Sequence, residues 1–113
     1  MSSRLPASVI ASALIRRAET EGGFGAVLHK GDATAGSILL ILLEKGGAPS
    51  LLERLLRPDG SYAWQSPTGL EIKNPAEVPK FIARRRRFDP DLWVLELDIA
   101  SRERFAADLN AFD

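Results

Sequence analysis

Hydrophobic and polar positions divide this chain into eight segments. In Pro6–Thr20, the residues Val9, Ile10, Ala13, Leu14, Arg17 and Ala18 recur at i, i+3, i+4 spacing, the period of an amphipathic helix. Pro6 suits its first turn, and Gly22-Gly23 ends it. Phe24–His29 alternates with period two: Phe24, Ala26 and Leu28 share one face, Gly25, Val27 and His29 the other. After the turn Lys30–Gly36, Ser37–Leu43 reads as a strand whose unbroken apolar run Ile38–Leu43 fits a central strand buried on both faces, or on one face plus a partner chain.

Leu51–Arg57 is ambiguous. Leu51, Leu52, Leu55 and Leu56 fit a helical stripe that would leave Glu53 and Arg54 facing water. Its place between two tight turns favours a strand. Pro58-Asp59-Gly60 is a turn, with proline preset for the first corner and glycine free to take positive φ. Ser61–Gln65 returns as a strand with Tyr62 and Trp64 on one face, and Ser66–Asn74 reads as a loop. Asn74 is the expected N-cap of a second helix running to about Arg86, with Val78, Phe81, Ile82 and Arg85 on one stripe. Asp89-Pro90-Asp91 makes a corner, because the residue before proline avoids helical angles. Leu92–Ile99 alternates as a strand, and a last helix from Ser101 buries Phe105, Leu109 and Phe112.

The order is therefore α-β-β-β-β-α-β-α. It predicts an α+β fold: a mostly antiparallel sheet with helices packed on one face. The last strand must join that sheet at an edge or beside the first strand. At 113 residues, residues 1–113 form one domain with a single core.

Composition changes this picture little. Fifteen basic residues balance fifteen acidic ones. Their layout is uneven: Lys73, Lys80 and Arg84–Arg87 against Glu77 give residues 73–87 a net of +5. Asp89, Asp91, Glu96, Asp98, Glu103, Asp108 and Asp113 against Arg102 and Arg104 give residues 88–113 a net of −5. Blocks this close are expected to neutralise each other within the fold, which weighs against nucleic acid as a partner. No cysteine is present, which excludes disulfides, thiolate nucleophiles and thiolate zinc sites, and is compatible with a reducing cytosol. The N-terminal residues lack the layout of a secretory signal, and the run Ile38–Leu43 is far short of a membrane span. The expected location is cytoplasmic.

Three strings, SALIRRAE (12–19), GGFGAVLHKG (22–31) and above all RFDPDLWVLELD (87–98), resemble the bacterial family of uncharacterised proteins called domain of unknown function 1491. The resemblance covers nearly the whole chain. It implies a small, single-domain cytosolic protein with no assigned activity, cofactor or catalytic residue.

Candidate chemistry is sparse. His29, the lone histidine, has no Ser-His-Asp or His-Glu partner at a recognisable spacing and reads as a structural residue at a strand end. The glycines of GGFG lie between helix and strand, the wrong junction for a phosphate cradle. The sharpest feature is Arg84–Arg87. Arginine forks grip phosphate bidentately, yet consecutive helical residues lie about 100° apart, so the four fan around the axis. Asp89 and Asp91 straddle Pro90 and are expected to close an ion-pair cluster with these arginines or to cap their own turn. Trp64 and Trp93 can stack on bases, but their alternating strand positions favour the sheet face.

The candidate ligand-binding residues are thus Arg84, Arg85, Arg87, Asp89, Asp91 and Trp93. No catalytic residue, metal site or cofactor is expected. The leading reading is a non-enzymatic binding or protein-interaction module, with a homodimer or other protein as partner and no membrane association. The alternative is a weak nucleic-acid or phosphate-ligand binder through Arg84–Arg87. A small enzyme ranks third: the element order loosely resembles the acetyltransferase fold, but SPTGLEIKNPAE (66–77) lacks its glycine-rich pyrophosphate loop.

Overall fold

The computed structural model describes residues 5–67 and 74–111. Eight elements follow in the expected order: α1 (Ala7–Thr20), β1 (Phe24–His29), β2 (Ile38–Glu44), β3 (Pro49–Leu56), β4 (Tyr62–Gln65), α2 (Glu77–Phe88), β5 (Trp93–Ile99) and α3 (Arg102–Ala111). The ambiguous leucine-rich stretch is strand β3. Most of the expected loop 66–74, and Phe112, lie outside the described residues.

The strands form one open sheet in the order β1-β5-β2-β3-β4. The last strand lies beside the first and pairs antiparallel with it, placing Gly25 opposite Leu97 and Val27 opposite Leu95. Its other neighbour is β2, and that pairing is the sheet's parallel one, with Leu40 opposite Leu95. The β2–β3 and β3–β4 pairings are antiparallel. As its apolar run requires, β2 sits in the middle, with Ile38–Leu42 all buried.

The helices do not share one face. Ala7, Ala11, Leu14 and Ala18 of α1 and Phe105 and Leu109 of α3 pack on one side against Ile38, Leu40, Leu42, Trp64, Trp93, Leu95, Leu97 and Ile99. On the other side, Val78 of α2, with Phe81 and Ile82 half-buried, covers Leu39, Ile41, Leu51, Leu92 and Val94. The reason lies in β2. An unbroken apolar strand exposes alternate residues to opposite faces, so a second helical layer must cover Leu39 and Ile41.

The stripe of α1 is also rotated from its expected position. Val9 is exposed, as is Ala13, while Ala7, Ala11 and Ala18 are buried. Small residues let the helix approach the sheet closely. Gly25 of β1 does the same from below: a Cβ there would meet the Leu97 side chain at 2.6 Å and Ile15 at 3.2 Å.

Candidate functional site

The run Arg84–Arg87 lies in the last turns of α2, which continues to Phe88 and stops before Pro90. The helical fan divides it. Arg85 falls on the stripe with Val78, Phe81 and Ile82. Its Nη1 donates to Glu53 Oε2 on β3 at 2.5 Å, and its guanidinium lies 5.8 Å from the centre of the Phe81 ring. Glu53, which the helical alternative for this stretch would leave facing water, is only 7% exposed, the one buried charged residue among those described. Arg84, Arg86 and Arg87 are exposed and make no ion pair among the described residues.

The expected cluster with the following acids is therefore absent among the described residues. Asp89 ends α2, its amide donating to the Arg85 carbonyl and its own carbonyl accepting from the Leu92 amide. The Asp91 carbonyl accepts from the Asp32 amide. Trp93 lies on the α1 face, across the sheet from the arginines, with its indole Nε1 donating to the Asp32 carbonyl at 2.7 Å. The turn Lys30–Gly36 wraps this corner so tightly that a Cβ on Gly31 or Gly36 would fall 2.0 or 2.4 Å from the Asp91 carbonyl oxygen. Asp32 caps the same turn at the Thr34 and Ala35 amides. The carbonyls of Ala33 and Thr34 in turn accept from the first amides of α1. Asp91 and Trp93 thus stitch α1 to the start of β5, and Arg84, Arg85, Arg87, Asp89, Asp91 and Trp93 do not converge on one ligand.

What does converge is a groove beside α2. Its volume is about 410 Å³, and Leu28, Ile41, Leu43, Val78, Ile82 and Ala83 line it. Pro49, Pro75 and Pro79 complete its rim, with Arg86 on the helix wall and Glu96 on the sheet wall. No pattern in the sequence announces it, because its walls come from five elements far apart in the chain. The nearest signal was the half-apolar helix face, too narrow to cover five strands. A second cleft of about 440 Å³, at the N-terminus of α1, is lined by turn backbone, Leu5, Leu56 and an Arg54 guanidinium stacked 3.7 Å over the Tyr62 ring. Its lining mixes the turn before β2 and the start of α1 with Ile38, Leu55 and Tyr62 from three strands, whereas the groove by α2 has an apolar floor with Arg86 and Glu96 at its walls.

No group of three or more metal-ligating side chains gathers among the described residues. No described helix is long and apolar enough to cross a membrane. His29 ends β1, half-buried, in register with Val94.

These features define a small α+β domain: a five-stranded open sheet, sealed by two helices on one face and half-covered by one on the other. The chain belongs to the family described as protein of unknown function (DUF1491), whose model matches residues 5–107. Similar solved structures include a crystal structure of a DUF1491 family protein from Caulobacter crescentus CB15. It is 33% identical, with 90% of this chain and 94% of that one covered and a TM-score of 0.80. An NMR structure of a DUF1491 family protein from the same organism is 32% identical over 93% of this chain and 94% of that one, with a TM-score of 0.77. The solution structure of protein Atu0922 from A. tumefaciens is 28% identical over 92% and 93%, with a TM-score of 0.76. No curated protein matches the chain.

Proposed function

We propose that this chain is a non-enzymatic, cytoplasmic binding module that takes an apolar protein segment into the groove beside α2. The observation that carries this reading is the half-covered sheet face. Leu28, Leu43 and Ile82 stand open to solvent or partly so, around a concave apolar floor, with Arg86 and Glu96 on opposing walls to orient an incoming segment. Apolar concavities with a few placed polar groups are where proteins bind ligands. The absence of cysteine fits a reducing cytosol.

The test is selection of a random peptide display library on the wild-type chain, followed by titration against Ala83→Trp. Ala83 is exposed on α2, so the indole fills the groove and leaves the core alone. Selected peptides should bind Ala83→Trp at least ~10-fold more weakly, about 1.4 kcal/mol. Recovery of no peptide, or equal binding to both proteins, would contradict the reading.

One observation favours a second reading, a phosphate-bearing ligand: Arg84, Arg86 and Arg87 are exposed and unpaired among the described residues. Against it stand their fan around the axis and the negative end of the helix dipole. Binding of a single-stranded oligonucleotide that falls steeply with salt and is lost in the triple alanine variant would support it. Salt-independent or unaltered binding would remove it.

A further inference from the structure

The two edges of the sheet differ in how they are finished. At one edge, β4 is four residues long, and its Trp64 is buried in the core shared with α3. Short edge strands are one way proteins discourage pairing with other chains. At the other edge, β1 is six residues, Phe24–His29, paired among the described residues only with β5. It contains no Lys, Arg, Asp, Glu or Pro. Phe24, Val27 and Leu28 are 57%, 45% and 48% exposed. The one protective device is an irregularity between Val27 and His29, which leaves Phe24–Val27 regular.

We propose that β1 pairs antiparallel with β1 of a second copy about a twofold axis at Ala26, joining two sheets into one of ten strands. The register follows from the residues. With Ala26 opposite its own copy, Gly25 faces the partner's Val27 in the regular stretch, and Phe24 meets the partner's Leu28 at the irregularity. The large exposed apolar side chains then meet across the axis, where directly opposed residues stabilise a strand pair. The flanking charges agree. Glu21 precedes β1 and Lys30 follows it. Antiparallel pairing sets the acidic end of one strand against the basic end of the other; parallel pairing sets like against like. Because the same patch serves both copies, the interface closes as a dimer and does not propagate. The strip is only about 20 Å long. It buries less than the ~1,600 Å² of a standard interface, which places it among weak, concentration-dependent contacts. This inference uses the sheet edge and shares only Leu28 with the groove of the proposed function; Phe24→Lys, outside the groove lining, tests it separately from peptide capture.

The absence of cysteine makes the register directly testable. Sedimentation equilibrium of the wild-type chain should show concentration-dependent dimerisation. Phe24→Lys and Val27→Lys, both at exposed positions, should weaken it at least ~10-fold with unchanged melting of the monomer. Under mild oxidation, Ala26→Cys should cross-link to itself, since opposed Cβ atoms lie about 5 Å apart. Phe24→Cys and Leu28→Cys should cross-link as a mixture faster than either alone. Gln65→Cys, on the β4 edge, should remain uncross-linked. A wild-type chain monomeric into the high micromolar range would overturn the proposal. So would a dimer indifferent to both lysines, or Gln65→Cys cross-linking as fast as Ala26→Cys.

Discussion

The two faces of one sheet are finished to different standards. The α1/α3 face is closed over its core, with one cleft left at the N-terminus of α1. Four residues of α1 and both described anchors of α3 are buried there, and Arg17 bridges the helices by pairing with Asp108 at 2.8 Å while lying 5.2 Å from the Phe105 ring centre. Helix α3 begins on the Ser101 hydroxyl, which accepts from the Arg104 amide, and on Glu44, which accepts from the Arg102 amide. The α2 face rests on less: one buried residue, Val78, two half-buried ones, and the Arg85–Glu53 pair. Both faces cover the same central strand, so the difference is not one of location. A helix with twelve residues, four of them consecutive arginines, has too narrow an apolar stripe to seal five strands. The sheet surface it leaves uncovered is the groove.

Single substitutions should separate the faces. Leu95→Ala, on the sealed face, should cost ~3–4 kcal/mol, because a fully buried leucine leaves a cavity that cannot collapse. Phe81→Ala on α2 should cost only ~1–2 kcal/mol despite removing a larger side chain, since its site is already half open. Chemical denaturation of both variants checks the ranking, and equal losses would erase the distinction.

The ion pair comes next. Glu53→Gln leaves Arg85 without its counter-charge beside the sheet. Arg85 is about one-third exposed, so the loss should be ~1–2 kcal/mol, below that of a fully buried pair. Replacing the pair together, Glu53→Leu with Arg85→Met, should recover most of that loss. A double variant as unstable as the sum of its parts would show that the pair does more than anchor α2. Smaller still, Arg84→Ala, Arg86→Ala and Arg87→Ala should each change stability by less than ~0.5 kcal/mol, having no partner to lose among the described residues.

The smallest effect lies away from both faces, in the turn before β4. The Ser61 hydroxyl, and then its amide, hold the Asp59 carboxyl below its ordinary range. A carboxyl depressed in the folded state adds stability above its unfolded pKa and loses it as pH falls through the folded value. Ser61→Ala should raise the Asp59 titration toward that of a free aspartate, read from its carboxyl shift by NMR. An unmoved titration would assign the depression to another group.

Much of this difference was legible in the sequence, and the illegible part has a physical cause. The unbroken run Ile38–Leu43 marked the central strand, although the helices were expected on one face, and the spacing of Val78, Phe81, Ile82 and Arg85 gave the inner stripe of α2. Turn chemistry placed Leu51–Arg57 as a strand against its own helical spacing. Which face α2 takes was hidden, because it depends on β5 inserting between β1 and β2, a pairing with no local signal. The burial of Glu53 was hidden because its partner lies 32 residues away. The arginine run was visible as a unit, yet only the fold shows it divided between an anchor and three arginines that make no ion pair among the described residues. The groove was invisible because its lining joins Leu28, Ile41, Ile82 and Glu96 from four elements.

Native-state hydrogen exchange tests the contrast most directly. If α2 is held by one buried residue and one ion pair, the amides of 80–88 should exchange through a local opening that leaves α1, β2 and β5 protected. Their opening free energy should lie well below that of residues 11–20, and Glu53→Gln should lower it further without altering α1. Equal protection of α1 and α2, with both released only by global unfolding, would contradict the account.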